Sequence, residues 1–372
     1  MSTQETEIYR RLQQRLDTLP IGYPATESGV EIRILKALFT HTEAEIAAKM
    51  SFVPESAETI YRRVKKKTES IDKLKDILNR MYLNGAINLK IIDEGNGEEK
   101  RYHLAFLAVG MYEYQVRTLS KDFYEDIELY FDEAYRDEVS STKINQLRTI
   151  PIEESVIPEH NIATFDELRE VIRKTNKIAL MECICQKGKD LINNSCKQTE
   201  MREHCFALND SARRVVERNN GKFITSDEAL IILKKAQEEG LILQPGNALD
   251  PNFICCCCGC CCDLITNIKK LKRPWEMFQS NFYANVDSHL CIGCETCLNS
   301  CQMDAIKMVE NIATVKRKLC IGCGNCVVTC PEEAITLDKK EIEEIPPNTT
   351  TDLYVKIMHK KAEIRRKEKR VL

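Results

Sequence analysis

The sequence predicts an α+β chain of several domains. It should begin with helices closed by a hairpin, continue through a cysteine-rich α/β region, and end in a small cysteine-bearing α+β domain. Three observations lead there. Four helix-like segments between Gly29 and Gly85 precede two strand-like runs. All 19 cysteines fall between Cys183 and Cys330. That stretch closes on two cysteine tetrads of identical spacing. A length of 372 residues allows two or three domains.

The tetrads carry the most chemistry. One reads Cys291-Ile-Gly-Cys294-Glu-Thr-Cys297-Leu-Asn-Ser-Cys301, the other Cys320-Ile-Gly-Cys323-Gly-Asn-Cys326-Val-Val-Thr-Cys330-Pro331. A cubane iron–sulfur cluster needs four thiolates aimed at four irons of one compact core. Three cysteines at two-residue intervals wrap one corner in a tight loop, and Gly293, Gly322 and Gly324 let the backbone come close. Zinc is the bland alternative, but it favours two separated Cys-x2-Cys pairs.

Over roughly 285–338 this pattern resembles the two-cluster bacterial ferredoxins, in which the fourth cysteine of each tetrad serves the other cluster. The resemblance implies two [4Fe-4S] clusters. One would take Cys291, Cys294, Cys297 and Cys330, the other Cys320, Cys323, Cys326 and Cys301. Strands are expected at 305–309, 313–315 and 334–337. One departure is visible: Gln302 stands where the first tetrad would carry a proline, as Pro331 follows the second.

In the N-terminal third, helices are expected at 30–39, from a capping box Thr42-x-x-Glu45, at 55–67, and through Ile71, Leu74, Ile77, Leu78 and Met81 to a stop at Asn84-Gly85. Strands at 86–92 and 100–107 follow, joined by a turn-rich acidic loop. This order resembles the winged-helix superfamily. The resemblance would make the third helix a DNA reader, with Thr59, Arg62, Arg63 and Lys66 on one face. A basic stripe is equally the solvated face of any surface helix, and the acidic loop opposes phosphate contact. Docking or dimerisation is the favoured role and DNA binding the alternative. Two aromatic-rich helices are expected in 110–139, then a linker over 140–158.

The central region offers Cys183-Ile-Cys185, Cys196 and Cys205 on a polar, irregular stretch after a strand at 178–180. A helix from the capping box Thr164-x-x-Glu167 should precede it, and a helix over 226–239 should follow, ending at Gly240. His204 lies beside Cys205. Then comes the run Cys255-Cys256-Cys257-Cys258-Gly259-Cys260-Cys261-Cys262, which feeds into a helix over 263–271. Seven cysteines in eight positions exceed the needs of one cubane, so some should pack in the core as small apolar residues. Three readings compete: a third cubane on Cys183, Cys185, Cys196 and Cys205; a larger or non-cubane centre with ligands from both segments; and zinc or copper storage. Helical N–H groups after the run would stabilise anionic sulfur and favour redox use. The Cys257-Cys258-Gly259 triplet resembles one CCG motif of heterodisulfide reductases, without the second copy.

Expected boundaries are an N-terminal arm (1–28), a winged-helix domain (29–107), a helical segment and linker (108–158), a central cysteine-rich domain (159–284), a ferredoxin domain (285–340) and a basic tail (341–372). In that tail, residues 356–372 hold eight Lys or Arg against two Glu. Taken together the segments resemble 4Fe-4S binding proteins of anaerobic bacteria and archaea.

Formal net charge is −3, and no apolar run is long enough to span a bilayer. The polar N-terminus has no signal segment, so a cytoplasmic place is expected. An odd number of cysteines, many of them adjacent, argues for thiols and metal rather than disulfides. Exposed clusters suffer in oxygen, which suggests an anaerobic setting. No P-loop, Rossmann fingerprint or Ser-His-Asp pattern appears, hence no flavin or nucleotide site is expected. The expected function is ferredoxin-type electron relay, fed by a central metal centre and serving a redox partner protein or anaerobic oxidoreductase, with homodimerisation through the N-terminal region. Alternatives are a redox-sensing DNA-binding regulator and a reductase with substrate at the central cluster.

Overall fold

In the computed structural model of the chain, residues 3–93, 97–152, 155, 168–278 and 280–371 are described. The expected capping box at Thr164 and the tip of the 93–99 loop lie outside them. The chain divides into two compact units.

The first unit comprises residues 1–141, 214–220 and 357–372. Helices α1 (Thr3–Leu16), α2 (Val30–Leu38) and α3 (His41–Ala47) lead to a two-residue strand β1 (Glu55–Ser56). Helices α4 (Ala57–Val64) and α5 (Ile71–Leu83) follow, then strands β2 (Ile87–Asp93) and β3 (Glu98–Leu104), α6 (Lys121–Tyr130) and α7 (Arg136–Ser140). The sheet order is β1-β3-β2, with Glu55 opposite Tyr102 and Ile87 opposite Leu104.

Two expectations here are corrected. The capping box lies at Thr40 and Glu43, not at Thr42 and Glu45. Phe39 closes α2 in extended backbone, so the next helix starts at once, and Glu43 is buried against Arg80. The helix expected at 55–67 is shorter, because Glu55 and Ser56 are drawn into the sheet and Ser56 then caps α4 by accepting from Thr59 N. The aromatic segment also differs: 107–115 forms short irregular turns, and the helix is one run over 121–140 that widens at 131–135. Tyr124, Tyr130, Phe131 and Tyr135 line its buried side.

Arg218 ties the inserted segment 214–220 into this unit. Its Nε donates to Tyr82 O and one Nη to Ile87 O, both at 2.8 Å. Its guanidinium lies over the rings of Tyr114 and Tyr82 at 3.8 and 4.5 Å. Nearby, burial and the charge of Arg214 pull His103 down to about 4 from 6.5. The folded chain therefore holds this imidazole neutral, while the unfolded chain takes up a proton below about 6.5. Stability from this group is full above that pH and falls as pH drops toward 4. Urea unfolding followed from pH 7 to 4.5 should lose midpoint steeply, and His103→Gln should flatten the slope; an unchanged slope would remove His103 from the account.

The second unit comprises residues 142–213 and 221–356. Its elements begin with α8 (Leu168–Lys174), β4 (Ile178–Glu182), α9 (Ile184–Leu191), β5 (Glu203–Leu208), the first turn of α10 (Asp210–Glu217, which from residue 214 on belongs to the first unit) and β6 (Gly221–Ile224). They continue with α11 (Ser226–Glu238), β7 (Ile242–Pro245), β8 (Phe253–Cys257) and α12 (Asp263–Lys269). Strands β4 to β8 form an antiparallel sheet in the order β6-β4-β5-β8-β7. Leu168 and Ile172 of α8 and Ala229, Leu233 and Ala236 of α11 cover its inner face. The expected helix over 226–239 is there, capped by a reciprocal Thr225–Glu228 box and closed at Gly240, whose φ is +73°.

The small C-terminal domain has β9 (Phe282–Val286), α13 (Thr296–Ser300), β10 (Ile306–Val309), β11 (Ile312–Val315), α14 (Asn325–Val328) and β12 (Ile335–Lys339). Strand β9 pairs with β12 and β10 with β11. The expected start at 285 missed β9, whose Phe282 and Ala284 alternate into the core. Finally α15 spans Thr350–Val371. In the basic run at its end, Lys361 pairs with Glu138, and Lys360 and Lys367 pair with Glu363. Among the described residues, no helix is long and apolar enough to cross a membrane.

Candidate metal centres

The C-terminal cysteines gather into two cavities. Cys291, Cys294, Cys297 and Cys330 line one, and Cys301, Cys320, Cys323 and Cys326 line the other. The two halves repeat at an interval of 29 residues, the offset from Cys291 to Cys320 and from Cys301 to Cys330. The backbone repeats with them. Glu295 and Gly324 take positive φ of 64° and 86° ahead of α13 and α14, and Asp304 and Glu333 take 53° and 49° after them. A left-handed residue thus turns the chain just before each short helix and again just after its fourth cysteine. Amide hydrogens reach the sulfurs in the same register. Ala305 N donates to Cys301 Sγ at 3.2 Å and Ala334 N to Cys330 Sγ at 3.3 Å. Ala284 N donates to Cys320 Sγ at 3.3 Å and Ala313 N to Cys291 Sγ at 3.4 Å. Donors on anionic sulfur are what a cluster requires of its shell.

The surroundings of the two cavities differ. Cys294 and Ile292 are exposed and Glu295 and Glu332 line that cavity, whereas Ile321 at the equivalent place is 3 % exposed. A hydrogen bond from Thr296 holds the Cys294 thiol below the ordinary range, while burial pushes Cys323 up to about 12. Burial also raises Cys301 and Cys326, so these three inner thiols stay neutral until iron displaces their protons.

The central cysteines sort into two groups that the sequence reading did not separate. Cys183, Cys185, Cys196 and Cys205 do not form one group. Cys196 joins Cys258, Cys260 and Cys261, with all four sulfurs within 4.8 Å of one another. Cys196 Sγ lies 3.7 Å from Cys258 Sγ and 3.8 Å from Cys260 Sγ, and Cys260 Sγ is 3.7 Å from Cys261 Sγ. Gln186 Nε2 donates to Cys196 Sγ at 3.3 Å.

Six of the other seven, all but Cys256, close into a ring. Cys183 hydrogen-bonds with Cys185 and Cys205, Cys205 also with Cys255, and Cys255 with Cys257. Cys257 bonds on to Cys262, and Cys262 back to Cys185. Those sulfur bonds displace the thiols alternately: Cys183, Cys255 and Cys262 go down, Cys185, Cys205 and Cys257 go up.

Secondary structure accounts for this sorting. The stretch expected to be irregular is so only over 192–202, around Cys196: Cys183 caps α9, Cys185 lies within it, and Cys205 lies on β5 directly opposite Cys255 of β8. Along β8 the period of two puts Cys255 and Cys257 on one face and Cys256 on the other, where it joins the sheet core. Strand alternation within the cysteine run was the signal available in the sequence. His204 is 1 % exposed, lies within 4.8 Å of Cys183 and Cys205, and bonds through Nε2 to Gln186 Oε1 at 2.9 Å.

Gln302, where the second tetrad has proline, is used. Its Oε1 accepts from Gly259 N at 2.8 Å, joining the cysteine run to the C-terminal domain. A side chain at Gly259 would run into the Gln302 carbonyl.

In the first unit, Arg62 and Lys66 are exposed, but Lys66 lies beyond the end of α4, and Arg63 pairs with Glu55 at 2.6 Å. The expected single basic face is therefore not continuous, because the helix stops at Val64.

Residues 283–342 match the 4Fe-4S dicluster domain family. The C-terminal segment is thus a ferredoxin-like 4Fe-4S domain. No curated protein and no solved structure matches the chain. The matched domain and the central cysteine groups together support iron–sulfur cofactors and metal binding in this protein.

Proposed function

We propose that this chain is an iron–sulfur electron relay whose C-terminal domain carries two [4Fe-4S] clusters. The outer cluster takes Cys291, Cys294, Cys297 and Cys330, and the inner takes Cys301, Cys320, Cys323 and Cys326. The observation that carries this reading is the pair of cavities, each lined by four cysteines and served by two matched N–H···S bonds. The exposed Cys294 edge is where a redox partner protein would exchange electrons. When bound, the clusters supply single-electron storage; the chain's residues hold them, solvate their charge with amides and exclude water from the inner one.

The relay is fed from the central region. There the Cys196, Cys258, Cys260 and Cys261 group fits one tetrahedral ion. Metal–sulfur bonds of about 2.3 Å put sulfurs about 3.8 Å apart on a tetrahedron, as found here. A cubane holds its cysteine sulfurs roughly 6 Å apart, because each hangs outside a different iron. A third cubane on Cys183, Cys185, Cys196 and Cys205 is therefore not retained.

The first unit serves as a docking or dimerisation module of winged-helix type, supported by the element order α3-β1-α4-α5-β2-β3 and the sheet order β1-β3-β2. Engagement of Arg63 by Glu55 and of Lys67 by Glu45 favours docking over DNA contact. The cytoplasm of an anaerobe and association with an oxidoreductase remain part of the proposal.

The test is anaerobic purification of the full chain, assay of iron and acid-labile sulfide, and EPR after dithionite reduction. Two interacting [4Fe-4S] signals and no fewer than about eight irons per chain are expected. About four irons or fewer, or zinc in their place, would end the relay reading.

A further inference from the structure

The six-cysteine ring is a site of its own. Its members come from four elements: Cys183 and Cys185 from the start of α9, Cys205 from β5, Cys255 and Cys257 from β8, and Cys262 from the cap of α12. Four segments converging on one closed circuit of sulfur atoms are more than packing needs. Cys256 shows what packing looks like in the same run: it lies 1 % exposed among Ile150, Leu180 and other apolar groups of the sheet core. His204 adds a second observation. Its Nδ1 is buried without a hydrogen-bond partner, beside Cys183 and Cys205.

A single metal ion does not explain the ring. Iron and zinc in protein sulfur sites take four thiolates at the corners of a tetrahedron. Six sulfurs, each hydrogen-bonding with two others around a circuit, outnumber one tetrahedron and suit two or more metal ions sharing ligands. The four-sulfur group on Cys196 shares no cysteine with the ring.

We propose that Cys183, Cys185, Cys205, Cys255, Cys257 and Cys262 hold a polynuclear iron–sulfur centre, distinct from the four-sulfur site, at the inner end of the relay. Its position argues for iron over zinc. Cys255, Cys257 and Cys262 share one apolar core with Cys301, Cys320 and Cys323 of the inner ferredoxin cavity, through Ile265, Met303 and Ile321. An iron centre in that shared core could pass an electron to the inner cluster, which a redox-inert zinc could not. The choice of iron rests on the relay reading; the existence of a polynuclear site does not.

The experiment uses the full chain, expressed with iron and purified without oxygen. Iron, zinc and acid-labile sulfide are measured per folded chain, together with Mössbauer spectra. The wild type should carry about two or more irons beyond the roughly eight of two cubanes and the single ion of the four-sulfur site. Cys257→Ala should lose that excess while keeping the EPR signals of the C-terminal clusters, and Cys256→Ala should lose nothing. Cys185→Ala gives a second route if Cys257→Ala does not fold, and Cys196→Ala should lose one ion only. Excess iron that survives both Cys257→Ala and Cys185→Ala, or no metal in the ring at all, would overturn the proposal. Two or more zinc ions lost with these variants would overturn the assignment to iron. Loss of the C-terminal signals from the wild type itself would instead overturn the relay.

Discussion

Cys326→Ala should remove about four irons per chain and one of the two [4Fe-4S] signals, and should also soften the C-terminal domain. Cys326 lies at 7 % exposure in a core with Phe282, Ala284, Ile335 and Leu337. Its cluster would hold together β9, β12 and the start of α14. Metal affinity is folding free energy in such a site, so the loss should reach several kcal/mol, of order 3 to 5 when a buried ligand leaves its partners uncompensated. Cys294→Ala makes the contrast. It should also cost about four irons, yet Cys294 is exposed and pins only a surface loop. Proteolysis and thermal unfolding of the two variants should therefore diverge, with Cys326→Ala much the weaker. Equal stabilities would mean that the inner cysteines do not organise this core.

Gly259→Ala should be among the most damaging single methyl groups in the second unit. The added Cβ would overlap the Gln302 backbone carbonyl, and that carbonyl also accepts from Lys269 Nζ at 3.2 Å. The three atoms nearest the added Cβ are all Gln302 backbone and cannot swing aside. Overpacking of this kind costs typically 1–3 kcal/mol, and the upper end, about 3 kcal/mol, is expected here. Gln302→Leu removes only the 2.8 Å bond to Gly259 N and should cost about 1–2 kcal/mol. Both should lower the urea midpoint, and Gly259→Ala should also lower central metal content, because the cysteine run must move. A Gly259→Ala protein as stable as wild type would show that the run and the C-terminal domain are not packed this closely.

What was legible in the sequence follows the range of the interactions. The tetrads are local: every ligand within a tetrad is set by spacing along one loop and one short helix, and the spacing alone brings them to mind. The helices α5 and α11 were equally plain, because apolar periodicity and stop signals coincide there. The central groups were not, since they depend on strand pairing. Cys205 and Cys255 meet only because β5 and β8 are antiparallel neighbours in that register, and nothing near either residue says so. The misplaced capping box had a different cause. Thr42-x-x-Glu45 and Thr40-x-x-Glu43 both fit the pattern, and the burial of Glu43 against Arg80 of α5 decided between them. Gln302 looked like a blemish in a motif because its use lies in a segment 43 positions away in sequence.

The 29-residue repeat has a consequence for direction. Duplication makes two sites alike, and here even the amide-to-sulfur bonds correspond one for one. These shared amide bonds cannot then set the clusters' energies apart. What sets them apart is the remainder of the chain, which covers Ile321 and Cys323 and leaves Ile292, at 66 % exposure, and Cys294 open. An added electron makes a thiolate-bound cluster more anionic, which water tolerates and an apolar core resists. Under the proposed relay, two copies of one motif thereby become an upper and a lower step, and an electron released inside would have a downhill way out through the face at Cys294.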